Sequence, residues 1–213
     1  MVQRQPKSEH TPRVPHTKVT RADWLSRARD VLVTHGVAEV KILALAEKLA
    51  VSRSSFYWYF KDRADLLDAL LEEWSHRNTA LLVEHCALPS DNITEAVLQF
   101  FRCFIDPARF DSGLDFAVRE WSRRDTALRA RIDAADATRI DAVTGMFRRH
   151  GYTEADADGR ARILYFMQLG YHALDVREEM DLRLSRVRPY LKGFTGQEPD
   201  EAALARFVDE ARR

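Results

Sequence analysis

The side chains in this 213-residue sequence that could do chemistry fall into two groups. The first is scattered. Glu73-x-x-His76 has the spacing that sets a carboxylate and an imidazole on one helix face, as in di-iron helical bundles. Such bundles need the motif twice, with two further glutamates, and here it occurs once. His150 and His172 belong to neither His-x-x-x-His nor His-Glu-x-x-His, the spacings that hold a metal from one helix. No Gly-x-Ser-x-Gly elbow, phosphate-binding loop or dinucleotide fingerprint is present. Two cysteines, Cys86 and Cys103, are too few for a disulfide scaffold or a cysteine-rich zinc module and suit a reducing cytosol. No catalytic residue, metal site or cofactor is expected, and the chain is not expected to be an enzyme.

The second group is compact: Arg53-Ser54-Ser55-Phe56-Tyr57-Trp58-Tyr59-Phe60-Lys61. Hydroxyls and cations at this density suit phosphate oxygens, and an arginine can fork onto guanine. Phe56 and Phe60 lie one helical turn apart and form an inner face. Tyr57 and Trp58 are neighbours and cannot both be buried on one helix face, so at least one turns its ring outward. The charge agrees. Formal net charge is zero, yet residues 1–63 carry twelve Lys and Arg against six Asp and Glu, leaving an acidic remainder. A basic front on an acidic body points to a polyanion met at the front alone.

The elements that must position these groups are helices. Apolar residues recur with a period near 3.6, and no run alternates with a period of two. Thr20 with Asp23 reads as a capping box for a helix with Leu25, Ala28, Val31 and Leu32 inward, stopped at Gly36. A short helix over 41–49 turns Ile42, Leu45, Ala46 and Leu49 inward. After Ala50-Val51-Ser52, with Ser52 as cap, comes a third short helix carrying Phe56. Asp62 and Asp65 open a longer helix to about Cys86. Further helices are expected near 92–105, 112–123, 126–149, 154–176, 180–192 and 200–211, punctuated by Pro107, Gly151 and Gly196–Pro199. The predicted fold class is all-α, a three-helix head on a larger helical body. No apolar run reaches the ~20 residues of a membrane span, and the basic, proline-punctuated start lacks a signal peptide's apolar region.

Two short helices joined by a tight turn and braced by a third form a helix-turn-helix arrangement. From Ala50 to Leu67 the sequence resembles the recognition signature of the TetR family of bacterial one-component regulators: a small residue, Val-Ser, a basic and two small residues, an apolar residue, Tyr-x-Tyr-Phe, a basic residue, then an acidic Leu-Leu helix start. The strong likeness covers about residues 20–75. It implies a basic arm (1–19), a helix-turn-helix DNA-binding domain (20–61) and a helical ligand-binding and dimerisation domain (62–213) entered through a linking helix (62–86). It also implies that Ser55 and Trp58 face the groove, that Tyr57 and Lys61 hold phosphates, and that Lys41 meets the backbone at the second helix's start. Arg53 and Ser54 complete the expected DNA-binding set. The sequence departs from the pattern in places. Ala50 stands where glycine usually supplies a left-handed turn, Val40-Lys41 replaces the hydroxyl cap, and Leu43 and Ala44 replace polar residues. The arm suits either a minor groove or a solvated tail.

Behind the head, Phe101, Phe104, Trp121, Phe166, Met167 and His172 are large adaptable side chains suited to core or to an apolar or amphipathic ligand. The resemblance makes them the candidate effector pocket. Residues 154–176 are apolar nearly all round and must be covered on every side, by core on one and a second copy on the other, along either Leu164/Gln168/Tyr171 or Phe166/Gly170/Leu174. Charge runs such as Arg119-Glu120 and Arg123-Arg124-Asp125 read as solvated faces. The implied function is a cytoplasmic, homodimeric transcriptional repressor, bound to a palindromic DNA operator and released by a small molecule. The rivals are an activator or architectural DNA binder without effector and, more remotely, a helical-bundle enzyme or metal protein.

Overall fold

The computed structural model describes residues 19–105 and 109–212. The basic arm up to Lys18 and Pro107 therefore lie outside the described residues. Within them the chain is all-α, with no strand.

Helix α1 (Arg21–His35) starts on the expected capping box: Thr20 N–H donates to Asp23 Oδ2 (2.7 Å), and Asp23 N–H donates to Thr20 Oγ1 (3.3 Å). It ends at Gly36, whose φ of 81° suits a residue without Cβ. Its buried face includes Trp24, in addition to Ala28, Val31 and Leu32, while Leu25 is only half-buried. Helix α2 (Ile42–Lys48) buries Leu45 and Ala46. Its end is a Schellman turn: Val51 N–H donates to the Ala46 carbonyl (3.0 Å) and Ala50 N–H to that of Glu47 (3.1 Å). This places Ala50 in the left-handed region, with φ 54°. Alanine thus adopts the conformation that glycine would favour, at a cost of about 1–2 kcal/mol. Ala50→Gly relieves that strain but loosens the unfolded chain. The net expectation is a gain of about 0.5–1 kcal/mol, read as a melting temperature about 1–4 °C higher; a lower one would show that the turn is unstrained.

Residues Arg53–Trp58 form a 3₁₀ segment rather than the short α-helix expected. Ser52 makes no side-chain cap. Its hydroxyl meets Ser54 Oγ (2.8 Å), while the Ser55 hydroxyl donates to the Ser52 carbonyl (2.8 Å). Three serines that turn onto local partners favour tight i→i+3 closure over an α turn. Phe56 and Phe60 still stack (5.3 Å), with Trp24 edge-on to Phe56 at 5.3 Å.

The long helix after the head is interrupted. Helix α3 (Arg63–Trp74) is capped by Asp62, and a π segment (Ser75–Ala80) leads into α4 (Leu81–Ala87). The widened turn coincides with Asn78, which is fully buried and grips the main chain of Asp111 in both directions (2.8 and 3.3 Å). Then follow α5 (Ile93–Arg102), α6 (Ser112–Ser122), α7 (Thr126–Arg149), α8 (Glu154–Ala173), α9 (Met180–Ser185), α10 (Val187–Thr195) and α11 (Glu201–Ala211). The single helix expected over 180–192 is two, because Pro189 lacks the N–H that would bond the Ser185 carbonyl. Helix α8 stops three residues early, at another Schellman turn with Asp175 left-handed.

The head's core does not end with the head. Trp24, Phe56 and Leu70 belong to one buried cluster with Leu114, Val118, Leu128 and Ile132 of α6 and α7. Gly113 lets α6 come close to α1, since a Cβ there would sit 3.1 Å from Val33 Cγ1. A second cluster joins α4, α5, α7, α8, α10 and α11. Helix α8 buries Ala161, Leu164, Tyr165 and Gln168 but leaves Ile163 (62% exposed) and Phe166 (52%) facing outward, and its C-cap residue Leu174 is exposed as well (78%).

Candidate nucleic-acid interface and the cavities behind it

Every residue of the expected DNA-facing set lies at the surface of the head. Trp58, 84% exposed, stands out from the 3₁₀ segment. One turn away, Arg53 Nη2–H donates to Tyr57 Oη (3.1 Å), so the guanidinium and phenol form one polar unit. The Tyr57 ring rests edge-on against Phe56 at 5.3 Å. Ser54 is exposed, and Ser55, half-buried, commits its hydroxyl proton to Ser52 but keeps lone pairs outward. The Lys61 main chain joins the α3 cap, its N–H donating to Asp65 Oδ2 (2.8 Å), while its side chain is exposed. Lys41, at the start of α2, reaches Glu39 (3.1 Å). Two neighbours serve as braces: Arg63 donates to the carbonyls of Val40 (2.6 Å) and Val37 (2.5 Å), and Tyr59 Oη–H donates to that of Val19 (2.8 Å).

Where head and body meet lies a buried ionic cluster. Asp115 and Arg139 are both fully buried and pair at 2.9 Å. Trp74 Nε1–H also donates to Asp115 Oδ1 (2.7 Å), and Arg139 Nε–H to Thr79 Oγ1 (3.0 Å). Arg119 bridges Asp115 (2.8 Å) and Asp136 (2.6 Å), and Tyr165 Oη–H donates to Asp136 Oδ1 (2.7 Å). Arg119 is thus no solvated surface charge, contrary to the expectation from its neighbours. Two carboxylates balance two guanidinium groups, which is what allows such charges to leave water. Burial pushes the Asp115 carboxyl up, but the Arg139 and Arg119 charges outweigh it and hold the pKa at about 2. The cluster ties α3 and the π segment to α6, α7 and α8.

Two openings lie behind the head. A groove of about 930 Å³ runs between the end of α1 and the body, lined by His35, Gly113, Phe116, Trp121 and His172 among others. A smaller cavity of about 100 Å³ lies among α5, α8, α9, α10 and α11, lined by Phe101, Phe104, Met167, Leu184 and Phe207 among others. The six residues expected to form one pocket are therefore divided. Phe101, Phe104 and Met167 line the smaller cavity and Trp121 and His172 the groove, while Phe104 and His172 meet at 5.6 Å beside a void of about 10 Å³ that both line. Phe166 faces neither, because it sits on the outward side of α8. Tyr171 and Arg183 line both openings and form the wall between them. The only trace of Arg183 in the sequence is a cation between two leucines of a short amphipathic stretch. His172 lies 2.7 Å from Gln168 Nε2, and burial, then the Arg183 charge, lowers its pKa, keeping the ring neutral.

Among the described residues no cluster of three His, Cys, Asp or Glu could hold a metal. Glu73 of the Glu-x-x-His pair is engaged by Arg29 (2.9 Å) and Arg77 (3.6 Å). Burial raises both thiols, that of Cys103 to about 12, which disfavours the thiolate form. No described helix is long and apolar enough to cross a membrane.

A helix-turn-helix head with an exposed cationic and aromatic face, joined to a helical body through a shared core, has the architecture of a DNA-binding regulator fold. Residues 25–70 match the model of the family described as bacterial regulatory proteins, tetR family. Its members are DNA-binding transcription factors rather than enzymes. About nine-tenths of the chain has the same fold as several solved structures. One is a TetR-family transcriptional regulator from Rhodococcus sp. (TM-score 0.57, 14% identity, 88% of this chain and 98% of that one). Another is AmtR of Mycobacterium smegmatis (TM-score 0.58, 18% identity, 94% and 97%). GusR of Salmonella enterica is similar over 90% of this chain and 92% of its own, with TM-score 0.55 and 13% identity. No curated protein sequence matches the chain.

Proposed function

We propose that this chain is a cytoplasmic transcriptional repressor that binds a palindromic operator as a homodimer and lets go when a small molecule enters its body. In this reading residues 20–61 contact DNA, 62–86 link head to body, and 62–213 hold the ligand and the partner copy. The observation that carries it is the exposed Trp58 beside the Arg53–Tyr57 pair and Lys61, on a head that matches the tetR family. A large aromatic left in water by a chain with ample core has a use at the surface, and a major groove offers thymine methyl groups and base edges to such a ring. Two heads entering successive major grooves sit about 34–36 Å apart. The outward stripe of Ile163 and Phe166 on α8, with Leu174 at its C-cap, is the face offered to the second copy, which favours Phe166/Gly170/Leu174 over Leu164/Gln168/Tyr171. Ligand binding changes the preferred head spacing by a coupling of about 1–3 kcal/mol, the usual size of such effects.

The test separates phosphate contacts from base contacts. Lys61→Ala is expected to weaken binding to operator and random duplex alike and to lower the log–log salt slope by about one unit. Tyr57→Phe is expected to weaken both duplexes equally as well. Trp58→Ala is expected instead to change which operator is preferred in a selection from random duplexes. An unchanged salt slope for Lys61→Ala, or uniform weakening for Trp58→Ala, contradicts the assignment.

A further inference from the structure

We propose that the effector is a small amphipathic carboxylate, its hydrocarbon in the cavity among α5, α8 and α9–α11 and its carboxylate on Arg183. This rests on the reading of the chain as ligand-responsive and adds the chemistry of the ligand. The cavity wall is hydrocarbon and ring over most of its extent, with Phe101, Phe104, Met167, Leu184 and Phe207. At one end it turns polar, and there the charges do not balance. Glu178 is fully engaged: Tyr171 Oη–H donates to Oε2 (2.6 Å) and Arg186 Nη1–H to Oε1 (2.5 Å). Arg183 makes no such bond among the described residues, although its charge acts on Glu178 from beyond ion-pair distance and helps to lower that carboxyl's pKa. Among the described residues no carboxylate lies within ion-pair distance of it, and its guanidinium rests over the Tyr171 ring at 5.1 Å. The neighbouring His172 is neutral and offers no competing charge.

One unmatched cation on an apolar wall selects among ligand classes. A cationic ligand meets repulsion from Arg183 and finds Glu178 already taken. A neutral hydrocarbon leaves the guanidinium desolvated without compensation. A phosphate ester asks for several donors, whereas one guanidinium matches one carboxylate bidentately. The cavity volume of about 100 Å³ suits a benzene-sized ring or a short acyl chain. Since Arg183 also lines the groove beneath the head, an anion there draws the guanidinium off Tyr171 and alters the wall against which α1 and α6 meet.

The probes are benzoate, phenylacetate and hexanoate, each compared with its neutral amide by calorimetric titration of the full chain. The acids are expected to bind about ten- to a hundredfold more tightly than the amides, the contribution of a charged hydrogen-bonded pair. Arg183→Gln is expected to abolish that preference while leaving amide binding in place, and Arg186→Gln, whose arginine is already paired, to retain it. Amides binding as tightly as acids, or a preference that survives Arg183→Gln, overturns the carboxylate assignment. So does a failure of all six probes at millimolar concentration. The ligand-responsive reading is then judged separately, by thermal shift and operator release against a panel of neutral and cationic metabolites. A hit there leaves that reading standing without this proposal, and no hit removes both.

Discussion

Asp115→Ala is expected to lower the unfolding free energy by about 3–5 kcal/mol, the cost of leaving a buried charge without its partner. Two guanidinium groups lose their shared carboxylate at once: Arg139, fully buried, and Arg119, largely so. Trp74 Nε1 loses its acceptor in the same step. For a chain of this size the melting temperature is expected to fall by about 6–20 °C. Replacing Asp115 and Arg139 together with apolar residues of similar volume is expected to recover part of the loss, because no unpaired charge then remains between them. A fall of less than about 1 kcal/mol for Asp115→Ala would mean that water reaches the cluster. The pH dependence has a fixed sign. The folded pKa of about 2 lies below the ordinary aspartate value near 3.9. The unfolded chain therefore binds the proton first, and the carboxylate's contribution is complete above about pH 5 and lost as pH falls towards 2. Urea melts between pH 6 and 2 are expected to show a steeper drop in wild type than in the Asp115→Ala chain.

The second large effect concerns assembly. With Ile163→Asp and Phe166→Glu combined, the outward face of α8 carries two like charges in each copy, and closing it on a twofold-related copy brings four together. Sedimentation is expected to show wild-type dimers and variant monomers at micromolar concentration. Operator affinity is expected to fall at least about a thousandfold, towards the level of non-specific binding. Both positions are exposed, so folding is expected to be intact by circular dichroism. A wild-type monomer at that concentration would contradict the dimeric reading outright. A variant that still sediments as a dimer would move the interface to another face.

What the sequence made legible was decided by local chemistry. Thr20 with Asp23 is a cap made within four residues, so the start of α1 was readable to the residue, whereas Asp125, read as part of a solvated charge run, caps α7 through the Leu128 N–H. The recognition run was readable because its residue types are costly elsewhere: neighbouring aromatics cannot share one buried face. Arg119 and Arg139 failed the same kind of reading. Their partners Asp115, Asp136 and Tyr165 come from three helices, and a charge pattern along one chain does not distinguish a buried ion from a solvated one. Trp24 was passed over because its place beside Phe56 depends on the crossing of α1 and the 3₁₀ segment. The pocket divided for a similar reason. Trp121 and Met167 have the same apolar character, and only the packing of α6 against α1 sets one in the groove and the other inside.

The π segment at Ser75–Ala80 has an angular meaning. A π turn holds one residue more than an α turn, and one residue of α-helix is about 100° of rotation about its axis. The segment therefore resets the phase of the helix between its two ends. With that reset, Trp74, Asn78 and Leu82, spaced by four, can serve in succession the head's core, the ionic cluster and the body's core. Closing 75–80 as an ordinary α turn with every residue kept would swing the head through roughly a quarter circle, carrying Trp58 off its bearing, whereas taking one residue out would leave that bearing nearly unchanged. Distance between two heads is one coordinate of operator register; azimuth is the other, and in this chain it is set by a single widened turn.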